Sequence, residues 1–216
     1  MFDLPSYNQW NYTIGGSYKH FSKNRFTTIV VSRNHLNNSS NKYENNDFTL
    51  SAGKILDYQS SEIENKLRVE ETVRLQNWKI NYGVGLEDVN YTNGTFNKLP
   101  NNITLDFNSA INFQKYSGFG QISKTFTKAN TTVSFGTRID GNNYGENMKD
   151  PFSQFSPRLA VSTKIYKSFY FNSSAGIYYQ LPAYTILGYK NNDGVFTNKS
   201  IPYIRNKQVV AGFEYL

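Results

Sequence analysis

The chain has 216 residues, no cysteine, 16% aromatic residues and a formal charge of +7. A mean hydropathy of −0.60 with that aromatic content excludes a disordered chain, which is poor in aromatics, and a helical membrane protein, which needs about 18 or more consecutive apolar residues. The lack of Cys excludes a disulfide framework and thiolate metal sites, and the scattered Lys and Arg, with no zinc-finger, RNP or basic-helix pattern, exclude a recognisable nucleic-acid module.

What the sequence does contain is alternation of apolar and polar residues, the signature of strands with one oily and one wet face. In chain order, nine strands are predicted. The first, 9–20, sets Trp10, Tyr12, Ile14 and Tyr18 on one face, and the second, 25–36, does the same with Ile29 and Val31. The third, 62–75, opposes Ile63, Leu67, Val69, Val73 and Leu75 to Glu62, Glu64, Lys66, Arg68, Glu70 and Arg74. The fourth, 78–89, opposes Trp78, Ile80, Tyr82, Val84 and Leu86 to Lys79, Asn81, Gly83, Gly85 and Glu87. The fifth, 109–125, holds no single phase: Ile111, Phe113 and Phe119 agree, Ile122 does not, and a β-bulge is the expected cause. The sixth, 131–140, alternates Val133, Phe135 and Ile139 with Ser134, Gly136, Arg138 and Asp140. The seventh, 154–166, the eighth, 169–180, and the ninth, 205–215, continue the pattern.

Strands of about 12 residues exceed the usual 5–6 and match the 9–11 that a tilted strand needs to cross a bilayer. The connections also alternate. Those at 20–25, 75–78, 125–131 and 166–169 are short, whereas 37–61, 90–108, 141–153 and 181–204 are long and rich in Asn, Gly, Lys and Asp. Short turns on one side and long loops on the other are the habit of outer-membrane barrels. The fold class expected is therefore all-β: an antiparallel meander of long amphipathic strands forming part of a transmembrane outer-membrane β-barrel. Because single-chain bacterial barrels have even strand numbers and Met1 is not followed by a secretory leader, residues 1–216 are expected to be a partial barrel with no plug domain.

Particular stretches carry a family likeness: Ser-Glu-Ile-Glu-Asn-Lys-Leu-Arg at 61–68, Trp-Lys-Ile-Asn-Tyr-Gly-Val-Gly-Leu-Glu at 78–87 and Gly-Phe-Gly-Gln-Ile-Ser-Lys at 118–124. The more specific two are Gln-Phe-Ser-Pro-Arg-Leu-Ala at 154–160 and Gly-Ile-Tyr-Tyr-Gln-Leu-Pro-Ala-Tyr-Thr-Ile-Leu-Gly-Tyr at 176–189. From about Ser61 onward the chain resembles the barrel domain of TonB-dependent receptors, in particular those of Bacteroidetes-type bacteria; residues 1–60 share only its general character. The resemblance implies a barrel of roughly 22 strands with a plugged lumen, further strands after Tyr215, a plug domain in the parent chain and energy from TonB. It also implies residence in the bacterial outer membrane, contact with its lipid, a possible lipoprotein partner, and import of a large polar nutrient such as a siderophore or an oligosaccharide. No TonB box is recognisable. Two other readings compete: a small complete barrel acting as an adhesin or structural protein, and a soluble all-β carbohydrate-binding domain.

Candidate functional residues fall into two groups. Glu62, Glu64, Lys66, Arg68, Glu70 and Arg74 form a mixed-charge ladder on one strand face, expected to line the lumen and to face a plug or one another. Tyr178, Gln180, Tyr184 and Tyr189, with Arg138, Asp140 and Arg158, cluster where strands leave the membrane; aromatics, amides and charges together suit a polar ligand. The segment Pro182-Ala-Tyr-Thr-Ile-Leu is expected to make one helical turn with Pro182 in first position. No catalytic, cofactor or metal site is expected. His20 and His35 lack ligand spacing, no Gly-x-Ser-x-Gly occurs, and Gly-Phe-Gly-Gln at 118–121 lies in a strand pattern and not at a strand–helix turn.

Overall fold

The structure, a computed structural model, describes residues 4–191 and 193–215, with Asn102 described in its backbone alone. One antiparallel sheet holds nine strands in sequential order. They are β1 (Ser6–Phe21), β2 (Arg25–Tyr43), β3 (Lys54–Leu75), β4 (Trp78–Lys98), β5 (Thr104–Phe126), β6 (Thr131–Asn142), β7 (Ser156–Tyr166), β8 (Phe169–Gln180) and β9 (Ile204–Tyr215). The only α-helices among the described residues are single turns, α1 (Glu146–Lys149) and α2 (Tyr184–Leu187), neither long enough to cross a membrane.

The two faces of the sheet differ as the alternation requires. On the outer face, register aligns Val31, Leu67, Leu86 and Tyr116 in one row and Val69, Val84, Gly118 and Ile139 in the next. Val84 is 59% exposed, Val209 82% and Phe213 67%. Such a stripe would aggregate in water and is at home against lipid. Trp78, Phe126, Tyr166 and Phe169 gather at the short-turn end, with the Lys124 ammonium over Trp78 at 4.6 Å, as an interfacial belt requires. One carboxylate interrupts the band: Glu71, beside Tyr82 in register, is paired with Arg25 at 3.4 Å. The chain is thus an all-β meander forming part of a transmembrane β-barrel.

The central strands are longer than the alternation suggests. At roughly 3.4 Å per residue and a tilt of about 40°, the 22 residues of β3 rise roughly 55–60 Å, over twice the ~25 Å apolar band. The apolar rows stop at Arg33, Asn65, Asp88 and Gln114, which share one level of the outer face. Above that row the outer face turns polar, so the lipid-facing alternation that marks a strand disappears although the pairing continues. The loops expected at 37–61 and 90–108 are instead mostly hairpin, reduced to 44–53 and 99–103.

The bulge expected in β5 is absent: its register with β4 runs unbroken from Thr104 to Lys124. Ile111, Phe113 and Phe119 face inward, and Tyr116 and Ile122 outward. The phase breaks because part of the inner face is itself apolar. Val89, Tyr91, Ile111 and Phe113 of the inner wall are covered by Tyr144, Met148, Tyr184, Leu187 and Tyr203 from the connections 143–155 and 181–203. The latter connection includes Asn192, outside the described residues. β7 begins at Ser156, not at 154: Gln154 closes a 3-10 turn, Pro151–Gln154, and is buried. The helical turn falls at Tyr184–Leu187 with Ala183 as its cap, so Pro182 precedes it and does not open it.

Both sheet edges are bare, every residue of β1 and of β9 being exposed. At the short-turn end, Gln76 and Lys167 take left-handed backbone (φ 47° and 41°), which costs an L-residue roughly 1–2 kcal/mol. Gln76→Gly is therefore expected to stabilise the sheet by up to about 1 kcal/mol and Gln76→Val to destabilise it by about as much. Urea unfolding in detergent micelles measures both; equal midpoints for the two variants contradict the strain.

Candidate functional site

Register alone brings four charges together on the inner wall. Lys66 of β3, Glu87 of β4 and Lys115 of β5 are cross-strand partners in one row, and Glu64 lies one row above Lys66. Lys66 Nζ stands 2.6 Å from Glu64 Oε2 and 3.7 Å from Glu87 Oε2. Lys115 Nζ lies 3.0 Å from Glu64 Oε1 and 2.5 Å from Glu87 Oε2. Two cations and two anions cancel. All four side chains are half-buried, so each carboxylate left without its ammonium would be partly desolvated and costly.

This quartet anchors a loop. The Tyr184 hydroxyl on α2 donates to Glu64 Oε1 and accepts from Lys115 Nζ at 3.0 Å. Its ring packs edge-on against Phe113, centroids 5.7 Å apart, and tilted against Tyr91 at 5.9 Å. Burial pushes the Tyr184 phenol well above its ordinary pKa, so it remains a donor throughout the physiological range. The Tyr144 hydroxyl donates to the Leu187 carbonyl, and Asn142 Nδ2 donates to Tyr203 at 2.9 Å, joining both inward connections. Gly188 permits the approach: a Cβ there would sit 2.8 Å from the Tyr91 ring and 3.0 Å from Ser109 Oγ.

Beneath these loops lies a cavity of about 270 Å³, bordered by Glu87, Lys115, Arg138, Asp140, Gln180 and Tyr203. Arg138 grips Asp140 two residues along the same face, Nη2 at 2.6 Å and Nε at 2.8 Å from its carboxylate oxygens. The lining residues include two positive and two negative side chains, one amide, one serine and three tyrosines. That lining offers donors and acceptors in several directions and no net charge.

The sequence candidates distribute unevenly around this centre. Glu64, Lys66 and Tyr184 belong to the anchor, and Arg138, Asp140 and Gln180 border the cavity. Arg158 lies over the Tyr178 ring at 4.5 Å, a separate pair on β7 and β8 made possible by Gly176, whose Cβ would crowd both side chains at 3.1 Å. Tyr189 packs on Phe107 instead, ring centroids 5.5 Å apart. Arg68 pairs with Glu70 at 3.4 Å lower down the wall, Glu62 stands beside Glu64 one row up, and Arg74 is exposed at the turn. Glu87, Lys115, Asn142 and Tyr203 went unselected at the sequence level. Glu87 stood on a recognised wet face; Lys115 was hidden by the broken phase of its strand; Tyr203 comes from a loop with no periodicity.

Tyr184→Phe removes one hydroxyl bridge and should cost about 1 kcal/mol, whereas Lys115→Met leaves Glu64 and Glu87 to share Lys66 alone and should cost more. In both variants the 181–203 connection should be cut faster by a protease under limited digestion, Lys115→Met the more so. Unchanged cleavage in both would mean that the anchor does not hold the loop.

No protein-family profile matches the chain, and no curated protein matches its sequence. Among solved structures the chain is similar to the copper transporter OprC, with a TM-score of 0.69 at 15% identity, over 95% of this chain and 36% of that one. The chain therefore spans about a third of the length of that transporter, and the likeness is one of fold.

Proposed function

We propose that this chain is wall and loops of an outer-membrane TonB-dependent receptor of Bacteroidetes type that imports a large polar nutrient. The observation that carries the reading is the inward-folded 181–203 connection, tied by Tyr184 to Glu64 and Lys115 above a polar cavity. A barrel wall that served only as scaffold would have no need to pin an outer loop against its inner face. The two bare edges support further strands in the parent barrel, because an unpaired backbone edge cannot lie in hydrocarbon. The exposed apolar outer face disfavours a soluble carbohydrate-binding sandwich, whose oily faces would meet in a core.

In this reading Arg138, Asp140, Gln180 and Tyr184, with Lys115 and Glu87, meet the ligand from the wall side. Tyr178, Arg158 and Tyr189 form the rim. The ladder from Glu62 through Arg74 faces the plug domain of the parent chain, and TonB acts through that plug. A ligand rich in hydroxyls and amides, such as an oligosaccharide or an organic metal chelate, fits the charge-balanced lining better than a bare ion, which would need one sign of charge to prevail. Release requires the Tyr184 bridge to break, so loop opening and plug movement are coupled through Glu64 and Lys115. A capping lipoprotein would bear on the extended hairpins of β2–β5.

Topology gives the first test. A cysteine at Asn45, in the long-loop side, should react with a membrane-impermeant maleimide on intact cells producing the full-length protein. A cysteine at Lys167, in a short turn, should react only after the outer membrane is permeabilised. Labelling of both on intact cells refutes the barrel orientation. Import itself is tested in the same cells: Asp140→Asn should weaken uptake of the nutrient by roughly tenfold, about the worth of one charged hydrogen bond, and loss of TonB should abolish it. Uptake that survives without TonB removes the receptor reading.

A further inference from the structure

The outer face of β2–β5 carries features that neither a plain lipid-facing wall nor the transport pathway explains. A groove of about 680 Å³ runs across it at the top of the apolar band. Its walls are Ile14, Val31, Leu67, Leu86 and Tyr116, and its floor includes Gly16, where an added Cβ would meet nothing within 4 Å. A smooth wall buries no such slot. Gly16 leaves the β1 side of the groove open beside Ile14, room that an acyl chain can take.

At the upper end of that groove stands Arg33, exposed on the outward face. Its Nε donates to the Tyr12 hydroxyl at 3.3 Å and its Nη1 to Asn65 Oδ1 at 2.9 Å. Both acceptors are neutral, so the guanidinium is oriented but its charge is not cancelled. Asp88, the nearest carboxylate in that row, lines the far end of the same groove but is two strands away, about 10 Å at ~4.8 Å per strand. An oriented cation above an apolar slot at the level of the membrane surface suits a phosphate.

Two rows farther up the same strands a second groove, of about 540 Å³, opens on the same face. Asn37, Gln59, Ser61, Thr92 and Asn108 line it with amides and hydroxyls, Asp57 (held by Lys54 at 2.7 Å) and Asp106 add carboxylates that accept from sugar hydroxyls, and Phe96 supplies an aromatic surface. Gly94 forms part of its floor, with Asn108 Oδ1 standing over the glycine. Between the two grooves His35 bonds Ser61 at 2.9 Å and stacks edge-on with Trp10 at 4.6 Å. Along one stripe the wall thus offers an oily slot, then a fixed cation, then a polar trough of the kind that receives sugar hydroxyls. The geometry points to a docking site for one membrane lipid class, a phosphorylated glycolipid, with its acyl chain on Gly16, its phosphate on Arg33 and its sugars in the trough above.

This inference stands on the fold and is independent of what the barrel transports. The full-length protein, delipidated by detergent exchange, would be titrated with bisphosphorylated lipid A, with the same glycolipid dephosphorylated, and with phosphatidylglycerol. Native mass spectrometry would count the lipid retained. Lipid A should bind tightest, and each of the other two about tenfold more weakly, since each lacks one of the three contacts. Arg33→Gln should bring lipid A down to the level of its dephosphorylated form, and Gly16→Leu should weaken all three lipids by filling the slot. Phe135→Ala, on the outer face but away from the stripe, should change nothing. Heat-modifiable gel mobility checks that each variant is folded; if Gly16→Leu is not, Arg33→Gln decides alone, since Arg33 is exposed and packs on no core residue. Equal binding of phosphatidylglycerol and lipid A, or an Arg33→Gln variant indistinguishable from the parent, overturns the assignment.

Discussion

A backbone amide inside a bilayer has no water to bond, so every strand that crosses must be paired along both edges. Nearly everything in this chain follows from that one condition. It forces consecutive strands to be neighbours, joined by turns as tight as Gln76-Asn77 and Lys167-Ser168 even where this puts a side-chain-bearing residue into left-handed backbone. It forces side chains to divide between lipid and lumen, because a paired, pleated strand has only two faces. It also sets what cannot stand alone: β1 and β9 pair on one side each, and their outer edges demand partners of the same kind.

Within that frame, the charged and the apolar parts of the inner wall play complementary roles. An apolar patch made by Val89, Tyr91, Ile111 and Phe113 would be a liability in a watery lumen, and it is covered by the α1 and α2 connections. Burying Tyr184 there brings its hydroxyl to Glu64 and Lys115, where a neutral donor completes a quartet of charges that already balance. Hydrophobic covering thus supplies the adhesion, and the polar bridge fixes where the loop sits. Because the loop's grip depends on one phenol and a few rings, a ligand competing for the same groups could loosen it without disturbing the sheet.

The outer wall shows the same economy of means in reverse. Glycine at position 16 removes side chain where lipid would otherwise meet a smooth surface, and Arg33 is aimed by Tyr12 and Asn65 and not neutralised. The row containing Arg33 is also where the lipid-facing stripe ends, so a single level of the barrel marks the membrane surface on the outside and lies between the levels of Lys66 and Glu64 on the inside. Inside and outside are built from alternate residues of the same strands, which ties the depth of the site to the depth of the membrane.

By itself the sequence determined the local architecture: nine strands, their order, the side of the short turns, and which face of β3, β4, β6 and β8 is oily. Those features depend on alternation and turn length, both of which are short-range. Where the outer face turns polar, alternation no longer reports a strand. Hence the strand extensions at Asn37–Tyr43 and Asn90–Lys98 were invisible as strands, and the apolar inner patch at Ile111 and Phe113 looked like a slipped register. For the site, the sequence could nominate Glu64, Lys66, Arg138, Asp140 and Tyr184 by residue type, but not group them. Glu64 and Tyr184 are 120 residues apart, and only folding the connection back over the wall makes them partners. Lys115, Glu87 and Tyr203 join them for the same reason: cross-strand register and loop packing are long-range facts, set by the tertiary structure once the backbone of every strand has found its neighbour.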